Sequence, residues 1–238
     1  MKRYLKSSFL WIVILFFACS KEEQEGRKII GLSAYNKVHV LDPLELYLIE
    51  GESYAAEIVG PEGDLDKIEL SIQDSVLTIE DKRRLKWSNP KQEKVKIYLT
   101  SFALGELTAE GGAIIQTMNP ITKNEFGLIL TGKANEATLE IRSEGFYYWN
   151  NFPSGGKLTL IGQVNSLKLW NAALMAVDAE GLTTNYALVE NASKGDISVR
   201  VLERLDYAIS GEGDIQLYGN PPELNAGEQS SSGKLVQY

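Results

Sequence analysis

One histidine and one cysteine, His39 and Cys19, are all the chain holds of the side chains that most often carry zinc or nucleophile-base chemistry. A histidine-based triad needs a nucleophile beside the ring. His39 instead sits in the alternating segment Val38-His39-Val40, and no Gly-x-Ser-x-Gly elbow occurs, so it reads as an outward-facing strand residue. Zinc sites of the usual Cys/His spacing are excluded by the same count. Carboxylates are plentiful, and Glu144, Glu180 and Glu212 stand at comparable glycine-containing corners. Calcium takes about six to eight oxygens from closely spaced ligands. No Gly-Gly-x-Gly-x-Asp repeat is present, so these carboxylates read as solvated turn residues. Glycoside hydrolysis needs only two carboxyl groups at a set separation, which keeps a polysaccharide-acting enzyme as the alternative to a non-catalytic binder.

The other residues suited to chemistry are aromatic. Phe146-Tyr147-Tyr148-Trp149-Asn150-Asn151-Phe152 is followed about one repeat later by Trp170. Exposed rings beside amides suit stacking on sugars or on a partner's apolar surface. Strict alternation predicts Tyr147 and Trp149 in the buried column of Leu167 and Leu169, with Tyr148 pointing outward. Tyr148 and Trp170 are therefore the candidate ligand contacts.

The elements that must position them repeat. Asn151, Asn171 and Asn191 stand 20 residues apart, each closing a segment of apolar residues spaced two apart, and Tyr207 to Gly211 continues the series. A second series runs between its members, through Leu139/Ile141, Leu158/Leu160, Val177/Ala179, Ile197/Val199 and Ile215/Leu217. Spacing of two is the period of a strand with one buried face. Each repeat thus supplies two strands and two corners, too little to bury a face alone, so repeats must stack. The expected fold is all-β, a parallel β-helix with rungs of roughly 20 residues. A leucine-rich repeat would need a helical half, and no helical periodicity runs through residues 100 to 220; a β-sandwich or barrel is the remaining alternative. Rungs about 4.8 Å apart would align Asn151, Asn171 and Asn191 as a structural ladder of amides.

Residues 31 to 100 are also strand-rich: 37–41, 46–49, 54–59, 68–72, 76–79 and 95–99, punctuated by Gly51, Gly60, Pro61-Glu62-Gly63 and Gln73-Asp74-Ser75. Their short connections suit antiparallel hairpins or tight early rungs alike. The charged run Asp81 to Lys94, with Pro90, reads as a solvated loop.

At the start, Lys2, Arg3 and Lys6 precede the apolar run Phe9 to Ala18 and then Cys19. This is the layout of a secretory signal, too short to span a bilayer as a mature helix. Phe16-Phe17-Ala18 before Cys19 resembles the bacterial lipobox, with Phe16 where Leu is commoner; the resemblance implies lipidation of Cys19 and cleavage before it. Ser20 to Gly26 is a polar tether whose Lys21-Glu22-Glu23 run resembles export signals that send lipoproteins of some Gram-negative bacteria to the outer face of the outer membrane. The expected layout is 1–18 signal peptide, 19–30 lipidated cysteine and tether, 31–222 β-helix, and 223–238 tail or cap.

Loss of Lys2, Arg3 and Lys6 with the signal takes the formal charge from −8 to about −11. Such a surface repels phosphate backbones, so nucleic acid is not an expected partner.

The closing residues Leu205 to Ile215, with Ser210-Gly211-Glu212-Gly213, and then Tyr218-Gly219-Asn220-Pro221 resemble the final repeat of the putative auto-transporter adhesin head GIN domain family. Ser71 to Ile79 and Val95 to Leu99 leading to Leu107 to Gly112 fit the same pattern, and the resemblance covers about residues 35 to 222. The family's usual Ser-Gly-Ser-Gly corners are replaced here by Ser143-Glu144-Gly145, Trp170-Asn171-Ala172 and Glu190-Asn191-Ala192. The resemblance implies a right-handed β-helix on a secreted or surface lipoprotein with an adhesive role, and it supplies no catalytic residues; no cofactor is expected. The expected protein is non-catalytic and lipid-anchored in the outer membrane. It faces the cell surface and binds an extracellular protein or glycan, the alternatives being a polysaccharide-acting enzyme and a periplasm-facing scaffold.

Overall fold

The computed structural model describes residues 25–83, 95–151 and 154–238. The signal, Cys19 and most of the charged run lie outside these residues. Strand accounts for 69% and helix for 3%, which leaves no room for the helical half of a leucine-rich repeat. The chain forms a parallel β-solenoid of about 6 turns with about 21 residues per rung.

Two ladders of strands run the length of the solenoid. The first stacks β2 (Lys37–Val40), β6 (Val76–Asp81), β8 (Glu106–Ala109) and β10 (Glu125–Leu130) on the later half of β11 (Asn135–Asn150). The second stacks β3 (Glu45–Glu50), β7 (Lys96–Ser101) and β9 (Ile114–Thr117) on the earlier half of β11. Both continue through β12 (Gly155–Ser193) and β13 (Ile197–Ile209), which are long because the extended backbone does not break at their corners. Alternation of buried and outward residues follows from the pleat. Inside the first ladder, Leu77, Val38, Leu107, Leu128, Tyr148 and Leu169 form one column, all almost fully buried. Burying such side chains contributes about 1.5–3 kcal/mol each and holds the rungs together without disulfides.

The rungs are not stacked in chain order. β2 lies between β6 and β8, and β3 between β7 and β9. The first rung of the chain is therefore covered on one side by β6–β7 and on the other by β8–β9. The open question over residues 31–100 resolves into both answers. β5 (Ile68–Gln73) pairs antiparallel with β6 through Asp74 and Ser75, both at positive φ (51° and 63°), a two-residue hairpin turn. β4 (Ala55–Pro61) pairs antiparallel with β7 and carries β1 (Glu25–Gly31) antiparallel on its other edge. These strands and the 3₁₀ turn Glu62–Lys67 close one end of the solenoid. There the Arg83 guanidinium, 7% exposed, binds Asp81 at 2.8–3.0 Å and Asp64 at 3.3 Å, so the buried cation is paired.

The body begins earlier than expected. Residues 25–30, read as tether, belong to β1. Only Ile29 and Ile30 in it are apolar, so a charged edge strand left no hydrophobic alternation to read. The tail 223–238 extends the solenoid: β15 (Glu223–Gln229) pairs parallel with β13, and β14 (Ile215–Tyr218) receives β16 (Leu235–Gln237). Tyr238 stacks on Tyr218 with centroids 5.0 Å apart, holding the chain end down.

Candidate functional site

The register of β11 decides which aromatics are accessible. Phe146 pairs with Leu167, Tyr148 with Leu169 and Trp149 with Trp170, an offset of 21 residues rather than 20. That single extra residue reverses the expected facing of the whole segment. Phe146 and Tyr148 point inward and are fully buried, Phe146 against Phe126 at 5.9 Å, while Tyr147 and Trp149 point outward. Tyr148 is thus not a ligand contact. Its hydroxyl lies buried without a hydrogen-bond partner among the described residues, and burial pushes its pKa well up. Trp170 does lie on the outer face, beside Trp149, which is 40% exposed.

The same slip corrects the asparagine ladder. Asn151 is exposed, and Asn150, 3% exposed, takes its place above Asn171 and Asn191. In the inner column this position is apolar in earlier rungs, through Ile79, Val40, Ala109 and Leu130, and returns to Ile209 after Asn191. The three amides close the turns by bonding backbone. Asn150 accepts from Ala172 N at 2.6 Å, Asn171 donates to Met175 O at 2.9 Å, and Asn191 donates to Gly195 O at 3.1 Å and Gly213 O at 3.0 Å. Buried amides engaged in this way hold corners and are not open to a ligand.

The outer face of the first ladder carries Ile129, Tyr147, Trp149, Lys168, Trp170 and Leu188 on neighbouring rungs. Tyr147 donates its hydroxyl to Glu106 at 2.6 Å, and Lys37 donates to the same carboxylate at 3.1 Å. Partial burial raises the Glu106 pKa, but the bonds from Tyr147 and Lys37 outweigh it and hold the carboxyl below its ordinary value. The Tyr147 phenol is pushed well up by burial and by its anionic partner.

The candidates for acid-base chemistry are dispersed and largely paired. His39 Nε2 lies 2.7 Å from Glu110, Glu180 binds Arg200 at 3.3 Å and Glu212 binds Lys194 at 3.1 Å. Among the described residues no group of three His, Cys, Asp or Glu is placed to hold a metal.

A feature the sequence reading missed lies where the second ladder turns into the first. A groove of about 700 Å³ runs across successive rungs there, lined by Asn124, Arg142, Glu144, Gln163, Asn165 and Asn185 among others. Asn185 donates to Asn165 at 3.0 Å, and Arg142 binds Glu140 at 2.7 Å. Tyr186, 45% exposed, follows Asn185 and borders a second depression of about 300 Å³ with Lys168, Leu188, Arg204 and Asp206. The signal was present, since Asn165 and Asn185 repeat at the same 20-residue interval as Asn171 and Asn191. It was hidden by the stronger apolar pattern on either side.

Solved structures share this fold. A putative adhesin from Bacteroides fragilis NCTC 9343 superposes with a TM-score of 0.80 at 18% identity, covering 91% of this chain and 98% of that one. A putative adhesin from Parabacteroides distasonis ATCC 8503 gives 0.66 at 15% identity, with the same coverage of 91% and 98%. A protein from the same organism described as a putative lipid binding protein gives 0.64 at 19%, covering 90% and 98%. At these identities the likeness is one of fold. Among curated proteins there is no significant match. Residues 34–221 match the family described as "Putative auto-transporter adhesin, head GIN domain", and the chain belongs to that family.

Proposed function

We propose that the chain is a non-catalytic, lipid-anchored protein of the cell envelope, displayed outward from the outer membrane, that binds an extracellular protein or glycan through the outer face of its first ladder. The observation that carries this reading is the pair Trp149 and Trp170, held side by side and outward on a parallel sheet whose backbone is bonded on both edges. Aromatic anchors on a rigid surface lose little conformational entropy on binding. Membership of an adhesin family supports a place at the cell surface. The lipobox-like residues before Cys19 support the anchor, and no helix of the described residues is long and apolar enough to cross a membrane.

The pairing of Glu180 and Glu212 with basic residues weighs against the enzymatic alternative. The neighbour described as a putative lipid binding protein suggests an apolar ligand, but here the solenoid interior is filled by side chains. The gap bordered by Leu48, Glu50, Leu99, Ser101, Leu104 and Ile121 measures only about 10 Å³.

The test is protease shaving of intact cells that make the chain, with a Cys19→Ala control. Loss of the body under protease is expected for the wild type, together with release of the Cys19→Ala form from the membrane fraction. Full protection would turn the search to periplasmic partners. Replacing Trp149 and Trp170 by Ala should abolish adhesion of protein-coated beads to host-derived surfaces while leaving the far-UV CD spectrum unchanged.

A further inference from the structure

We infer that the corner groove is a binding site for a neutral oligosaccharide lying along the solenoid axis. The inference rests on the proposed display outside the cell, which would give the groove access to glycans, and it names a ligand class and a site distinct from the tryptophan face.

The lining selects for hydroxyl groups. Asn124, Asn165 and Asn185 share one column, with Glu144 on the rung between the first two and Gln163 beside Asn165 on the same rung, and a carboxamide both donates and accepts, as a sugar hydroxyl does. The bond from Asn185 to Asn165 orients the two amides relative to each other and uses only one donor and one acceptor between them. Rungs recur about every 4.8 Å, close to the length of one pyranose unit with its linkage, so the polar column Asn124, Glu144, Asn165 and Asn185 meets successive sugars.

Charge selects for a neutral chain. Arg142 and Glu144 bring opposite signs to the groove, and Arg142 is already paired with Glu140. With Glu140 counted these groups sum to −1, and that local charge, like the formal charge of −8, repels an acidic polymer. A protein partner fits this groove poorly, because the core of a protein interface is depleted in charged residues and anchored by large buried aromatic or Arg side chains, and the groove's own Arg142 is already paired.

A stacking surface stands at the lip. Tyr186 is 45% exposed and directly follows Asn185, which lines the groove.

The floor is fixed. Gly162 holds φ +113°, and a Cβ there would lie 2.1 Å from Ile141 O, so only glycine allows the rungs to meet at this corner. The volume of about 700 Å³ falls within the range of small-ligand sites, and a preformed site loses little affinity to ordering.

The experiment is isothermal titration of the full-length chain with maltohexaose, laminarihexaose, cellohexaose, xylohexaose, mannohexaose and chitohexaose, and with an oligogalacturonate of equal length. At least one neutral hexasaccharide should bind, and oligogalacturonate should not. Gln163→Ala, which leaves the Asn165–Asn185 bond intact, and Tyr186→Ala should each weaken binding about ten-fold or more, that is by about 1.4 kcal/mol, with unchanged far-UV CD. Trp149→Ala/Trp170→Ala should leave this binding at the wild-type level. Absence of binding by any neutral hexasaccharide, binding of oligogalacturonate alone, or undiminished binding in both groove variants would overturn the inference. If the groove variants bind normally while the tryptophan variant loses bead adhesion, the groove fails and the proposed function stands. If wild-type beads adhere to nothing and the hexasaccharide still binds in the groove, the proposed function fails and the site stands.

Discussion

Tyr147 occupies the space above Gly127 in which a side chain would otherwise stand: a Cβ on Gly127 would lie 1.9 Å from the Cζ of the ring. The two residues are paired across adjacent rungs, and the ring lies over the sheet to reach Glu106 on the rung beyond. A half-buried aromatic is thereby flattened and fixed by a glycine beneath it and a carboxylate at its tip.

Gly127→Ala should lift the Tyr147 ring into solvent. The lost bond to a charged acceptor costs about 1 kcal/mol at this half-exposed site, while Ala in a strand recovers about 0.5–1 kcal/mol of the glycine's entropy cost. The net change in urea stability should be small, but the phenol should become reactive to tetranitromethane. Continued protection of Tyr147 in this variant would show that the ring does not depend on the glycine.

Tyr147→Phe should cost about 1 kcal/mol near neutral pH, because it removes a bond to an ionised carboxylate. Glu106 has a depressed pKa in the folded chain, so its contribution is present above the ordinary glutamate range and is lost as pH falls through the folded value. The stability gap between wild type and Tyr147→Phe should therefore narrow on acidification below the ordinary glutamate range. Urea melts across that range measure it, and a gap independent of pH would mean that Glu106 does not accept the bond.

Tyr148→Phe should be neutral or stabilising by about 1 kcal/mol, since the buried hydroxyl has no partner among the described residues. Tyr148→Ala should cost about 3–5 kcal/mol by opening a cavity in the inner column. Chemical denaturation of both variants checks the inward facing directly. An outward Tyr148 would make the alanine change nearly silent.

Asn191→Ala should cost about 1–3 kcal/mol, because Gly195 O and Gly213 O lose their shared donor. Asn151→Ala should fall within about 0.5 kcal/mol of wild type. The contrast reports the register, and equal costs would restore Asn151 to the ladder.

Removal of residues 223–238 should leave the terminal rung uncovered. Leu205, Ile215 and Leu217, now buried, would lose β15 and β16, and two ladder edges would open. Sedimentation velocity should show association of the truncated chain. A stable monomer would mean that the last half-rung is dispensable.

Much of this architecture was readable in advance because its signals are local. Apolar residues two apart, closed by Asn171 and Asn191 and repeated through Leu158/Leu160 and Val177/Ala179, require one-faced strands that must stack. Membership of the adhesin family was legible in the closing residues 205–221 for the same reason. Which way a side chain faces is not local. Between the aromatic rung and the next, the offset is 21 rather than 20, and that residue sends Tyr148 inward and Trp149 outward. Only assembled ladders could place β2 and β3 between later strands, since such pairing joins segments far apart in the chain. The corner groove likewise exists only once Asn124, Gln163 and Asn185, from different rungs, are stacked side by side. Periodicity along the chain determined the strands and their stacking; pairing across it decided which residues the protein shows to its surroundings.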